Sequence, residues 1–197
     1  MKKRLLVIAV LLMAAFVCIT VLNGMDTELS PNEPSGSGTA ATDTADIKPS
    51  SKGSPYKFYF ERLTPVEKRA YNAIIEKIYD MPERIAVPKI DGKELDNVFS
   101  ALLFDNPDLF FLGRKCAVET RMWLTYFSVD YIVDKADIAD MKAQLERECE
   151  AFEQTLTDPG NQWRTELEIH DHVIDRCEYH DPEGDLIYSS SYGALVN

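Results

Sequence analysis

"MWLTYFSVDYIVD", Met122–Asp134, decides the fold class. Thr125, Val129, Ile132 and Val133 are β-branched, and Trp123, Tyr126, Phe127 and Tyr131 are aromatic. Such a run, bounded by charged residues, predicts a strand from about Met122 to Val133. Upstream, "DNPDLFFLG" (Asp105–Gly113) reads as a break followed by a short apolar strand. Almost everything else in the folded part repeats at helical spacing, so the expectation is an α+β fold with about four helices and a small β component.

The helices follow from their own signals. Thr64, Pro65 and Glu67 form a helix start: a capping hydroxyl, a proline at the first helical position, and an acid that completes a capping box. Tyr71, Ile74, Ile75 and Ile78 then share a face. "RIAVPKI" (Arg84–Ile90) reads as extended, because Pro82 and Pro88 disfavour helix at the residues before them. A second helix opens at Asp91 or Lys93 and buries Leu95, Val98, Phe99, Leu102 and Leu103. A third spans about 136–156, with Ile138, Met141, Leu145, Cys149, Phe152 and Leu156 inward, and "TDPGN" ends it. A fourth spans about 163–177, with Leu167, His170, Val173, Ile174 and Cys177 expected on its buried side.

Residues 1–25 form an export signal: Lys2, Lys3 and Arg4, then an apolar run from Leu5 to Leu22. Its 18 residues exceed the usual signal core and approach the roughly 20 that cross a bilayer. No clear small-x-small cleavage site follows, and Phe16 and Val17 before Cys18 are too bulky for a lipoprotein signal. The expectation is a retained single-pass membrane anchor with the bulk of the chain extracellular, the alternative being a cleaved signal and a secreted protein. Residues 26–55 are rich in Pro, Gly, Ser and Thr and hold no aromatic, which predicts a disordered linker spanning roughly 30 Å. Residues 56–160 read as a helical N-terminal region.

The chain has 45% hydrophobic and 27% charged residues and a net charge of −12. Beyond residue 25 it holds 18 basic and 33 acidic residues, a net of −15. That field repels a phosphate backbone and argues against nucleic acid as a partner. Beyond the apolar run stand Cys116, Cys149 and Cys177, an odd number that does not make a disulfide framework. Each is expected to be a small buried hydrophobe.

His170, His172, Cys177 and His180 lie within eleven residues. None of them shows the i, i+4 pairing of a helical zinc motif. His170 and Cys177 are seven residues apart, about 10 Å along a helix, too far for a nucleophile and its base. Cys177 also falls at a helix C-terminus, where the dipole opposes a thiolate. His170 is expected as a hydrogen-bonded core histidine and His172 as a solvated one. Asp175, Glu178, Asp181, Glu183 and Asp185 lack the spacing of a calcium loop. No catalytic, cofactor-binding or metal-binding residue is assigned.

Three segments carry a resemblance: "LFDNPDLFFL" (103–112), "IHDHVIDRCEYHD" (169–181) and "SSSYGALVN" (189–197). In this order they resemble bacterial extracellular proteins of the transglutaminase-like superfamily. These have a helical lead-in with D-N-P-E-L-F-x-L, a core helix I-H-D-x-(L/V/I) followed by a Y-D turn, and then S/T-A-Y-G-A-L-V-x-G. The resemblance covers about Tyr56–Asn197, and His180 interrupts the Tyr-Asp pair. It implies that residues 161–197 begin an incomplete papain-like core. In the family the next residues lead into a helix that starts with the catalytic Cys, with His and Asp partners further on, and none of the three maps onto a residue here. It also implies Cys-His-Asp acyl transfer or amide hydrolysis on extracellular protein or cell-wall peptide, with this stretch inactive alone. The alternative is a non-catalytic extracellular interaction module. On the first reading "SYGALVN" lacks its packing partners and is expected to fray from about Glu183 onward.

Overall fold

The computed structural model describes residues 47–122, 124–176 and 186–196. The expectations for residues 1–46, the anchor and most of the linker, lie outside them. Among the described residues no helix is long and apolar enough to cross a membrane.

The fold is α+β; the described residues form five α-helices and one three-stranded antiparallel sheet. Helix α1 (Pro65–Ile75) begins with the capping box read from the sequence. The Thr64 hydroxyl accepts from the Glu67 amide, and the Glu67 carboxylate accepts from the Thr64 amide at 2.7 Å. Helix α2 (Gly92–Asp105) repeats the device, with Asp91 as the cap and Glu94 reaching back at 2.8 Å. Strand β1 (Ile85–Val87) lies between them in sequence. Tyr71, Ile74 and Ile75 of α1, Leu95, Val98, Phe99 and Leu102 of α2, and Ile85 of β1 are buried in one cluster.

The strand expected at 122–133 is the second half of a hairpin. Strand β2 (Leu112–Arg121) pairs with β3 (Leu124–Tyr131), and β1 pairs with the other edge of β3, giving the order β1-β3-β2. Met122 turns the hairpin with φ of 53°. Strand β2 is therefore much longer than the short apolar strand expected after Asn106, and its continuation lies in the polar stretch 114–121.

Helix α3 (Ile138–Glu153) buries Leu145, Cys149 and Phe152 as expected. Helix α4 (Gln162–Arg176) buries Val173 as expected, together with Ile169, and corrects the rest of the expected face: Leu167 and Ile174 are exposed. Helix α5 (Ser191–Val196) corrects the expected fraying. Tyr192 and Leu195 are buried in the same cluster as α1–α4, because α3 and Phe110 supply the partners that the sequence reading did not identify.

The linker expectation also fails for residues 47–55. The Ser50 amide donates to the Asn72 carboxamide at 2.9 Å, and Asn72 donates to the Lys48 carbonyl at 2.9 Å. Ile47 packs against the core. A polar, glycine-containing segment is held here through its backbone groups, which composition does not register.

Candidate functional site

The chemistry-bearing side chains gather around Asp105–Phe111, between the end of α2 and the start of β2. Asp105 is buried and its carboxylate accepts from the amides of Tyr59 and Phe60, at 3.0 and 2.9 Å. Burial pushes its pKa up, and those two amides and the nearby Lys57 ammonium oppose the rise. Asn106 is 0% exposed. Its amide nitrogen donates to the Tyr71 hydroxyl and to the Leu102 carbonyl, both at 2.8 Å, and its oxygen accepts from the Ser54 amide at 2.9 Å. Burial raises the Tyr71 phenol well above its usual range. Lys57 reaches the same hydroxyl at 3.4 Å, and burial lowers its own pKa.

Gly53 passes directly over Asn106. Its φ is +77°, and an added Cβ would fall 2.1 Å from the Asn106 oxygen. A side chain at this position is excluded both by backbone conformation and by space.

The following residues tie in other elements. The Pro107 carbonyl accepts from the Ser191 hydroxyl of α5 at 2.7 Å. Asp108 accepts from the Tyr79 hydroxyl at 3.2 Å and pairs with Lys142 of α3 at 2.9 Å. The Lys142 ammonium lies over the Tyr79 ring, 4.7 Å from its centroid. Phe110 contacts the Tyr192 ring at 5.4 Å, and Phe111 stacks with Tyr131 at 6.5 Å. Five consecutive residues from Asp105 to Leu109 thus sit between the N-terminal segment, α1, α2, α3 and α5. The arrangement orients elements and offers no nucleophile beside a base.

Close packing also accounts for Gly193. A Cβ there would meet the Ile187 carbonyl oxygen at 2.4 Å and Tyr188 backbone atoms at 2.5 and 2.8 Å. The 186–189 turn lies against α5 at a distance only glycine permits. Tyr192 Oη donates to the Gln144 side chain at 2.7 Å, which ties α5 to α3.

The two described histidines both depart from expectation. His170 is exposed rather than in the core, and its Nδ1 lies 3.2 Å from the Asp171 carboxylate. His172, expected to be solvated, is half-buried with its ring 4.2 Å from that of Phe152. Desolvation lowers its pKa, and Arg176 adds to the effect. Among the described residues no cluster of three metal-ligating side chains occurs. Cys177, His180, Glu178, Asp181, Glu183 and Asp185 lie outside the described residues.

Neither described cysteine is a nucleophile candidate. Burial, with Asp96 nearby, pushes the Cys116 thiol up to about 11. Cys149 is pushed up to about 11 by burial, with Glu153, Glu146 and Glu148 contributing. Both are thiols at neutral pH, and the thiolate is the reactive form. Cys116 lines a groove of about 750 Å³ with Met81, Glu83, Lys115, Ser128 and Tyr131. The groove exists because β1 pairs only with Thr125–Phe127, leaving the end of β3 without that neighbour.

Sequence reasoning singled out the D-N-P-D stretch for its resemblance and missed what it does. The signal was present: two short polar side chains flank a proline at the end of an apolar helix face, a combination suited to collecting orphan backbone groups. No protein-family model matches the chain, and no curated protein matches it in sequence.

Proposed function

We propose that this chain forms the lead-in and first core helices of a membrane-anchored, extracellular transglutaminase-like protein. Acyl transfer or amide hydrolysis on protein or cell-wall peptide would be the work of a Cys, His and Asp that the described residues do not supply. The role of the present residues is to build the platform on which such a centre rests. The observation that supports this reading is that all three segments that bear the resemblance contribute side chains to one hydrophobic core. Pro107 and Phe110 of the first touch Ser191 and Tyr192 of the third. Ile169 and Val173 of the second are buried in the cluster that holds Tyr192 and Leu195. Segments that belong to one functional unit are expected to pack in this way.

The reading has a direct test in the coding sequence downstream of the Asn197 codon. It requires a Gly codon and then Cys-x-Gly-Tyr, in the same frame or one shift away. Downstream sequence without that pattern in any phase refutes it. The purified 197-residue chain is expected to incorporate no hydroxylamine into a glutamine substrate and to cleave no peptide, because no described Cys is both ionised and beside a base.

A further inference from the structure

Among the described residues, 47–55 are held to the domain without a backbone-to-backbone hydrogen bond. Side chains hold them instead. The Asn72 carboxamide accepts from the Ser50 amide and donates to the Lys48 carbonyl, both at 2.9 Å. The Asn106 oxygen accepts from the Ser54 amide at 2.9 Å. The Ser50 hydroxyl donates to Glu76, and Lys52 pairs with Glu76 at 3.6 Å, both of these charged side chains being about half exposed. Ile47 packs against the core and is only partly buried. Just beyond the segment the character changes. Phe60 is fully buried, and the buried Asp105 carboxylate takes the amides of Tyr59 and Phe60.

We propose that residues 47–55 form a strap that opens and closes as a unit on an otherwise folded domain, with its hinge at Pro55–Tyr56. The bonds that close it are few and mostly face solvent, where water competes for both partners. The entropy of ordering nine residues offsets most of what those bonds return, so the closed state is favoured by a small margin. The fit makes the opening cooperative. Gly53 lies on Asn106 with a φ of +77°, and a Cβ there would stand 2.1 Å from the Asn106 oxygen. Gly53 and the Ser54 amide thus rest on the same side chain, and lifting one lifts the other. The core tolerates the open state. Asn106 keeps its bonds to Tyr71 and Leu102, and its oxygen keeps the Lys57 ammonium, which lies beyond the hinge at 3.5 Å. On the membrane-anchored reading, on which this consequence rests, release adds nine residues to the tether, up to about 30 Å of extended chain. The strap itself uses no catalytic group and no membrane, so its failure and that of the transglutaminase-like reading are separate events.

Residue-resolved hydrogen exchange of the full 197-residue chain in detergent, repeated at rising low concentrations of urea, tests the strap. The Ser50 and Ser54 amides should be protected about ten- to a thousandfold and should exchange together, at rates nearly independent of urea because little surface opens. The Tyr71 and Ile74 amides of α1 should exchange far more slowly and respond steeply to urea. Asn72→Ala removes two of the closing bonds and should speed Ser50 and Ser54 alike, by about tenfold or more. Gly53→Ala should abolish protection at both positions and leave α1 unchanged, because the clash lies between the strap and Asn106. Exchange of Ser50 and Ser54 with the rate and urea slope of α1 would overturn the proposal, since the segment would then unfold only with the whole domain. Acceleration of Ser50 without Ser54 in Asn72→Ala would also overturn it, since the segment would then fray residue by residue. So would a wild type with both amides unprotected, in which there is no closed state, or a Gly53→Ala variant that loses protection in α1 as well.

Discussion

Replacing Asn106 with Ala removes the link between the N-terminal segment and the core. Its side chain loses three close hydrogen bonds, to the Ser54 amide, the Tyr71 hydroxyl and the Leu102 carbonyl, and a longer one from the Lys57 ammonium at 3.5 Å. They do not cost the same. The Leu102 carbonyl keeps the Asn106 backbone amide at 3.1 Å, and the Tyr71 hydroxyl keeps Lys57 at 3.4 Å, so each loses about 1 kcal/mol. The Ser54 amide is left in a half-buried site, which costs about 1–3 kcal/mol. The sum is about 3–5 kcal/mol, a large part of the roughly 5–15 kcal/mol that stabilises a domain. Tyr71→Phe removes only one of the three bonds and leaves Asn106 with Leu102, so about 1 kcal/mol is expected. Urea unfolding followed by far-ultraviolet circular dichroism measures both values. Hydrogen exchange at the Ser54, Tyr59 and Phe60 amides shows where the loss falls, since it should be greatest in the segment that Asn106 and Asp105 hold. A loss below about 1 kcal/mol for Asn106→Ala, with Ser54 exchange unchanged, would refute the clamp.

Gly193→Ala drives a Cβ into the backbone of the 186–189 turn. It should release α5, seen as loss of exchange protection from Tyr192 to Val196, with a cost of about 1–3 kcal/mol in urea unfolding. Met122→Gly relieves a left-handed, 86% exposed residue at the hairpin turn, and should raise stability by about 1 kcal/mol without altering the sheet's circular dichroism. His172 has a folded-state pKa below its ordinary value, so its contribution is present above the unfolded pKa of about 6.5 and is lost as pH falls through the folded value. The urea midpoint should therefore fall on acidification below about pH 6.5, and His172→Gln should flatten that part of the profile.

The helices were legible because their signals are local. Thr64 with Glu67 and Asp91 with Glu94 satisfy orphan amides within four residues of sequence, so the pattern alone fixes both starts. The hairpin was half legible. Strand β3 has a dense apolar run, but β2 alternates charged and small residues through "RKCAVETR" and is exposed along most of its length. Its turn carries Met122 where Asn-Gly or Asp-Gly would announce a hairpin. The ordered course of residues 47–55 was not legible at all. Its stability comes from Asn72 and Asn106, which lie more than twenty residues away in sequence and lend side chains to backbone groups of a polar segment. Composition counts apolar area and is blind to that kind of anchoring.

Helix α4 marks the limit of periodicity as a guide to burial. Trp163, Leu167, His170 and Ile174 form one regular apolar stripe, and Ile169 with Val173 form a shorter one. A period of 3.6 residues predicted one buried face holding Leu167, His170, Val173, Ile174 and Cys177. The structure buries Val173 together with Ile169 and leaves Leu167, His170 and Ile174 exposed, because burial depends on what stands opposite. Phe152 meets His172, and the core cluster that includes Leu145, Cys149, Tyr192 and Leu195 takes in Ile169 and Val173, the smaller stripe. The larger stripe, left in water, forgoes about 1.5–3 kcal/mol for each large side chain that burial would supply. Within one molecule that deficit has no remedy among the described elements.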